Sequence, residues 1–322
     1  MALLVTFLWS SSWILIRWGL DDEALAPITF AALRYGLAFL ALFALVAGRS
    51  IYRRQVKSLD AGAWREVALL GVVFYTFTQA AQFVAINSQP AATSSLVLSL
   101  TPLLVAATAT WSLSEKPHRS QITGAVLVAL GAWSYFSGQL GTTVVGMTAA
   151  FVSLAGNAAS TLLGRRVNRE TTVSPLVVTA LSMAIGSLLL VVLGIGVEGV
   201  PEVSGRAWAI IIWLAVVNTA FAFTLWNRSL RRLSAVESAG INNTMLIQIA
   251  LLAWLFLDEA PRLMEWIGIL AVSLGIFLTQ ASGIGDPKRG TAAVPAHRRT
   301  RSVRVPLDRS GDERVAAELA PQ

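Results

Sequence analysis

Apolar stretches separated by short polar connections run along almost the whole chain. Each stretch holds roughly 18–25 residues, which as an α-helix is enough to cross about 30 Å of hydrocarbon. We therefore predict an all-α polytopic membrane protein with ten transmembrane helices. The predicted spans are residues 2–20, 27–48, 64–86, 92–113, 120–137, 144–164, 174–197, 207–227, 237–257 and 263–281.

The second half of the chain repeats the first. A gapless shift of 144 positions places Trp64 on Trp208 and Glu115 on Glu259. Each half contains five predicted helices, and because five is odd, two equal halves would enter the membrane in opposite orientations. Inverted repeats of this kind are typical of transporters.

The repeat divides the chain into three segments. We predict a first five-helix repeat at residues 1–137 and a second one at residues 144–281. Residues 282–322 lose the apolar periodicity and are a mixture of Gly, Pro, Arg and Asp, so we expect a disordered cytoplasmic tail there.

Composition and charge agree with a membrane location. The chain is 55% hydrophobic and only 13% charged, with a mean hydropathy of +0.64, so lipid is expected to cover much of its surface. Thirteen basic residues lie in or beside the connections that follow the even-numbered spans, whereas only Arg206 and Arg262 lie in the opposite set. Because basic residues are retained on the cytoplasmic side, we expect both termini in the cytoplasm and the protein in the plasma or inner membrane.

The same inventory argues against several functions. The net charge of +7 is dispersed over loops and tail, unlike the basic patch of a nucleic-acid-binding surface. The chain has no cysteine, and its two histidines, His118 and His297, cannot assemble a metal or catalytic centre. No predicted span carries a carboxylate near its middle, where a proton carrier often has one. We therefore expect no enzymatic activity, no cofactor and no nucleic-acid partner.

Polar and aromatic side chains inside the spans are the candidates for substrate binding. They recur at helical spacing on single faces of spans 1, 3, 6 and 8, and spans 4 and 9 add further polar groups. The alternative for each residue is that a buried amide or hydroxyl only hydrogen-bonds a neighbouring helix. The candidates are Ser10, Trp13, Tyr75, Gln79, Gln82, Ser99, Asn157, Phe223, Trp226 and Asn243.

Two further residues are candidates for a gating or structural role. Arg34 follows Pro27 by seven residues and should therefore lie about 10 Å along span 2. There it would either clamp neighbouring helices or attract an anion. Pro102 removes one backbone hydrogen bond in span 4, which predicts a bend.

Paired glycines form a stripe on spans 5 and 10. Gly124 and Gly131 are seven residues apart on span 5, as are Gly268 and Gly275 on span 10. Small residues at this spacing indicate close helix packing. Dimerisation through these two helices is the alternative interpretation.

Several segments resemble a known family. Residues Phe7–Ser12, Ala26–Tyr35 and Ser99–Leu103 are similar to the first EamA repeat, and the run from Asn242 to Gly268 is similar to the second. The chain thus resembles EamA-type members of the drug/metabolite transporter superfamily over about residues 2–281. This resemblance implies ten helices, two inverted repeats and a central cavity lined mainly by helices 1, 3, 4, 6, 8 and 9. The repeat equivalent of Pro102 is Leu246, so the two halves are expected to flex unequally.

The residues and the resemblance together predict a secondary transporter. We expect it to move a small organic metabolite by alternating access, as an exporter of amino acids or related compounds. Neutral amides, hydroxyls and aromatic rings fit a zwitterionic or moderately apolar solute better than a multiply charged one. A channel or a non-transporting membrane scaffold is the alternative. The expected partners are a small-molecule substrate and the lipid bilayer.

Overall fold

Helices follow the predicted apolar stretches in the computed structural model. The structure describes residues 1–101, 103–105, 107–108, 119–136, 142–170, 173–223, 225–226 and 235–281. Its helices are α1 (Ala2–Asp21), α2 (Pro27–Ala47), α3 (Ser50–Lys57), α4 (Ala61–Ser88), α5 (Ala91–Ser99), α6 (Arg119–Phe136), α7 (Val144–Glu170), α8 (Pro175–Glu198), α9 (Gly205–Phe221), α10 (Ala235–Leu257) and α11 (Leu263–Ala281). The predicted bend at Pro102, the side chain of Asn243 and the tail at 282–322 lie outside the described residues.

The lengths of these helices suit a bilayer. Helices α1, α2, α4 and α8, and residues Val144–Gly164 of α7, contain 20 to 28 residues and are apolar enough to cross a membrane. Shorter apolar helices of 10–17 residues accompany them, among them most of α6, α10 and α11. No described residue lies in a β-strand. The prediction of an all-helical, multi-pass membrane protein is confirmed.

Proline and serine set the starts of several helices. Pro27 and Pro175 each occupy a first helical position after a residue with extended backbone, where proline's missing N–H is not needed. Helix α9 begins after Ser204, whose Oγ accepts a hydrogen bond from the backbone N–H of Ala207 at 3.0 Å. The boundaries therefore follow from local sequence chemistry.

Helices α2 and α8 pack antiparallel to each other. Glu198, the last residue of α8, accepts hydrogen bonds from the backbone N–H groups of Ile28 and Thr29 in the first turn of α2, at 3.0 and 2.7 Å. At the other end, the side chain of Gln55 in α3, the short helix that follows α2, accepts a bond from the backbone N–H of Ser174 at 3.0 Å, just before α8 begins. Helix α2 therefore starts beside the end of α8, and α8 starts beside the helix that follows α2.

Helices α6 and α11 are also antiparallel, and their glycines meet. A Cβ atom added to Gly131 would lie 2.8 Å from the carbonyl oxygen of Gly268, and one added to Gly275 would lie 2.6 Å from that of Gly124. The two predicted stripes therefore face each other within one chain and allow the backbones to touch.

Polar contacts join the helix ends on the side where α1 finishes, which we call the Asp21 end. Here the hydroxyl of Ser204 donates to the carboxylate of Glu23, and the hydroxyl of Thr143 donates to the carbonyl of Ser88 at 3.0 Å. The connections after α1, α4 and α8 therefore lie on this side together with the start of α7.

Two helices widen locally into π-helical turns, which the sequence analysis did not predict. The first π segment is Gly71–Thr78 within α4, and the second is Val216–Phe221 within α9. The 144-residue shift carries positions 72–77 of the first segment onto 216–221, so the two segments occupy equivalent places in the repeats. In both, a threonine hydroxyl bonds the carbonyl five residues earlier: Thr78 to Val73 at 2.7 Å and Thr219 to Leu214 at 2.8 Å. Such turns are rare and frequently mark functional sites.

Candidate substrate-binding site

Two consecutive residues of α2 connect the two π segments. The Nε–H of Arg34 donates to the hydroxyl of Thr219, in the second segment, at 3.2 Å. The ring of Tyr35 lies 5.6 Å from the ring of Tyr75, in the first segment, between centroids. The Tyr35 hydroxyl also donates to Oε1 of Gln79 at 2.6 Å, one position past that segment. The predicted residues Tyr75, Gln79 and Arg34 are thus brought together, and we call Arg34, Tyr35, Tyr75, Gln79 and Thr219 the central cluster.

Arg34 carries a buried positive charge in this cluster. Its side chain is 5% exposed, and its guanidinium carbon lies 5.2 Å from the centroid of the Tyr35 ring. Within the described part of the chain, no carboxylate lies within 4.0 Å of its nitrogens. A guanidinium in the membrane interior costs at least about 3 kcal/mol, and a desolvated cation–π contact returns about 2 kcal/mol. The protein itself therefore compensates the charge only in part.

Ser10 belongs to a second group, between α1 and α10. Its hydroxyl lies 2.8 Å from the carbonyl of Thr6 and 3.0 Å from Oε1 of Gln248. The Gln248 amide nitrogen in turn donates to the hydroxyls of Thr244 and Thr6, at 3.0 and 3.3 Å. This arrangement satisfies the polar atoms by helix-to-helix bonding, which was the alternative considered for each candidate.

Phe223 and Trp226 meet on the indole of Trp9. The ring centroids of Phe223 and Trp226 lie 5.4 and 5.2 Å from that of Trp9. All three side chains are half-buried, so they form an aromatic surface between α1 and the end of α9. The sequence analysis included Phe223 and Trp226 as candidates and did not include Trp9.

The remaining candidates take up local positions. Trp13 is 5% exposed and belongs to the apolar core. The amide nitrogen of Asn157 donates to the carbonyl of Ser153 at 3.1 Å, and the hydroxyl of Ser99 donates to that of Leu96 at 2.7 Å, both within their own helices. Gln82 is half-buried on α4.

Asn218 is a polar residue that the sequence analysis missed. It is fully buried in the second π segment, and its amide nitrogen donates to the carbonyl of Leu8 and to the hydroxyl of Ser11 on α1. Its Oδ1 has no hydrogen-bond partner, which is costly for a buried acceptor. An asparagine inside an apolar span could have been noticed in the sequence. The repeat shift pairs it with Phe74, however, so it did not fall on the predicted polar face of its helix.

A separate ionic group holds the Asp21 end together. Arg17 forms an ion pair with Asp21 at 2.7 Å and donates to the carbonyls of Ile86 and Gln89, near the end of α4. The carboxylate of Glu259, after α10, accepts the backbone N–H of Ala91 at 2.9 Å and thereby caps α5. Burial raises the pKa of Glu259, and the Ala91 N–H and the charge of Arg17 oppose that rise.

The polar and aromatic groups described above are suited to binding a solute rather than to catalysing a reaction. Among the described residues, no group of three or more His, Asp or Glu side chains could hold a metal ion. The central cluster offers hydroxyls, an amide, aromatic faces and one cation. Such groups recognise and orient a solute.

Comparison with known proteins identifies the family. The chain matches the EamA-like transporter family over residues 1–137 and again over residues 144–280. It belongs to this family. The resemblance seen in the sequence is thereby confirmed, and the chain is a membrane transporter.

Other comparisons agree with membership of the EamA-like transporter family. A protein of Archaeoglobus fulgidus named as an uncharacterized transporter is 24% identical over 293 residues, covering 86% of this chain and 95% of its own length. One crystal structure of a protein, 19% identical, matches with a TM-score of 0.62 over 87% of this chain and 96% of that chain. At this level of identity, the second likeness concerns the fold alone.

Proposed function

We propose that this EamA-like transporter is a secondary transporter with ten membrane spans in two inverted five-helix repeats, which carries a small organic metabolite by alternating access. The main support comes from two pairs of helices that occupy equivalent places in the two repeats and run antiparallel to each other. These pairs are α2 with α8, and α6 with α11. Opposite directions are what two inverted halves require. The two π segments at equivalent positions support the same arrangement.

Alternating access requires a site reached by both halves. The central cluster meets this requirement because Tyr75 and Gln79 come from the first repeat and Thr219 comes from the second. A rearrangement of the halves about this cluster would expose it first to one side and then to the other.

The chemistry of the cluster supports an amino acid or a related compound as the solute. Hydroxyl, amide and aromatic groups suit a zwitterionic or moderately apolar molecule. The excess of basic residues in one set of connections supports cytoplasmic termini in a plasma or inner membrane, and we propose export as the direction.

Counterflow in proteoliposomes tests this function. Vesicles containing the purified full-length protein are preloaded with unlabelled L-amino acids and then offered each labelled amino acid in turn. We expect label to accumulate at a rate that saturates with the external concentration. Flux that rises linearly without saturation would favour a channel. Absence of any flux of amino acids, amines or sugars through folded protein would overturn the proposal.

A triple variant connects the flux to the site. Replacing Gln79, Gln82 and Asn157 together by alanine is expected to lower exchange by at least about tenfold, because amide contacts to the solute are lost. The matched control is Asn87→Ala, which removes one exposed amide near the end of α4 and should leave exchange unchanged.

A further inference from the structure

We propose that Arg34 binds a carboxylate group of the transported solute, so that the solutes of this protein are carboxylic acids or amino-acid zwitterions. This inference rests on the proposed transport function and names its substrate class. The observation behind it is that the buried guanidinium of Arg34 has no carboxylate partner among the described residues.

Arg34 has unused hydrogen-bonding capacity. A guanidinium carries five N–H donors in a planar fork. Among the described residues, the single hydrogen bond of Arg34 is the one from Nε–H to Thr219, so both terminal nitrogens are left without a protein acceptor. Two parallel N–H groups of this kind match the two oxygens of a carboxylate.

The charge of Arg34 also has no carboxylate partner among the described residues. Arg17, near the end of α1, pairs with Asp21 at 2.7 Å. Among the described residues, the polar contacts of Arg34 are with the ring of Tyr35 and the hydroxyl of Thr219. Ionisable residues within membrane spans usually pair with another charge or with backbone carbonyls, and Arg34 has neither among the described residues. An anionic group on the solute would supply the missing partner.

The two repeats differ in charge at the position of Arg34. Helices α2 and α8 align by their first prolines, Pro27 and Pro175, at an offset of 175 − 27 = 148, four more than the 144-residue shift that aligns the later helices. This alignment places Ser182 of α8 at the position equivalent to Arg34. Ser182 lies against the first π segment, where a Cβ added to Gly71 would contact its carbonyl, as Arg34 lies against the second. The second half thus makes the corresponding helix contact through the backbone, at a position whose side chain is small and neutral. Packing alone does not require a cation at this position.

Position within the cluster supports the same role. Arg34 contacts the second π segment, while the adjacent Tyr35 contacts the first segment and Gln79. A carboxylate on Arg34 would therefore sit where both halves meet. The rest of the solute would then lie within reach of neutral hydrogen-bonding groups.

The test compares acids with their amides. Counterflow of labelled L-amino acids is measured in proteoliposomes while each unlabelled amino acid, or its carboxamide, is added as competitor. The carboxamide keeps the size and shape of the amino acid and removes the negative charge. For the wild-type protein we expect the acids to compete on the order of 30-fold more strongly than the amides, as a buried charge pair predicts.

Variants attribute this preference to Arg34. In Arg34→Gln the difference between acid and amide should disappear, whereas Arg34→Lys should keep a preference for acids at lower affinity, because lysine offers one charge without the fork. Should Arg34→Gln fail to fold, the Lys variant alone carries the test. The control is Arg206→Gln, which makes the same change at an arginine that is 64% exposed and should keep the full preference.

Each result has a defined meaning. An acid preference that survives in folded Arg34→Gln, or full acid affinity in Arg34→Lys when Arg34→Gln does not fold, overturns the inference. Equal competition by acids and amides in the wild-type protein, or exchange confined to amines and sugars, also overturns it and leaves transport standing. No exchange of any solute overturns the proposed function as well.

Discussion

At the scale of single residues, the position of Arg34 along its helix was predictable and its partners were not. The spacing from Pro27 predicts Arg34 about 10 Å along α2, because a helix rises by a constant amount per residue. Its partner Thr219 lies 185 positions away in the sequence, so the pairing depends on how distant helices pack. Tyr35 was not a candidate for the same reason: its contacts with Tyr75 and Gln79 arise only in the folded bundle.

Glu259 is the residue whose protonation we expect to affect stability. Burial raises its pKa above the ordinary value of 4.5, so the folded protein holds a proton that the unfolded chain has already released. The contribution of this group to stability is therefore greatest at low pH and declines as the pH rises from about 4.5 through the folded-state pKa. The charged groups around it are Arg17 and Asp21, and the Ala91 N–H donates a hydrogen bond to its carboxylate.

Replacing this carboxyl by an amide should remove that dependence. Glu259→Gln keeps an oxygen that can accept the Ala91 N–H and cannot ionise, so we expect thermal stability to lose the decline between pH 4 and pH 7. The midpoint of unfolding in detergent, followed across this pH range, measures the effect. Glu202→Gln, at an exposed position, is the control and should behave as the wild-type protein does. A decline of equal size in Glu259→Gln would contradict the assignment.

At the scale of elements, the sequence predicted the features that depend on local residues, namely where helices lie and where some of them start. Apolar length located the spans, and Pro27 and Pro175 marked two helix starts. The π segments were not predictable, because an i→i+5 turn depends on packing against neighbouring helices and has no composition of its own. Asn218 was overlooked for another reason: the polar stripe on its helix was transferred from span 3 by the repeat shift, which pairs Asn218 with Phe74.

The contact between α6 and α11 gives a direct test at this scale. Gly131→Ala would bring a Cβ to 2.8 Å from the backbone of Gly268 and Val272, which forces the helices apart. We expect a loss of about 1–3 kcal/mol in stability, as for other overpacked contacts.

The matched control for this change is Gly36→Ala. A Cβ at Gly36, on α2, would meet nothing within 4 Å. This substitution should be neutral or stabilising by up to about 1 kcal/mol, since alanine favours helix. Thermal unfolding of the two variants in the same detergent compares them, and equal stability would contradict the close packing of α6 on α11.

At the scale of the whole molecule, the repeat was visible in the sequence because Trp, Glu and Gly recur at one fixed shift. Its consequence in space is the antiparallel pairing of α2 with α8 and of α6 with α11, which depends on the odd number of predicted spans in each half. What the repeat could not give is the difference between the halves. Arg34 carries a positive charge in the first repeat, whereas the aligned residue of the second repeat, Ser182, is neutral. This difference between the halves does not follow from the repeat.

Cysteine labelling tests the inverted arrangement most directly, and the chain has no cysteine that would interfere. Ile51 lies in α3, the short helix after α2, and Val200 lies just after α8; both side chains are exposed, at 60% and 82%. In intact cells, a membrane-impermeant maleimide should label Val200→Cys and should reach Ile51→Cys only after permeabilisation. Labelling of both positions from the same side would contradict two inverted halves, and with them the proposed alternating access.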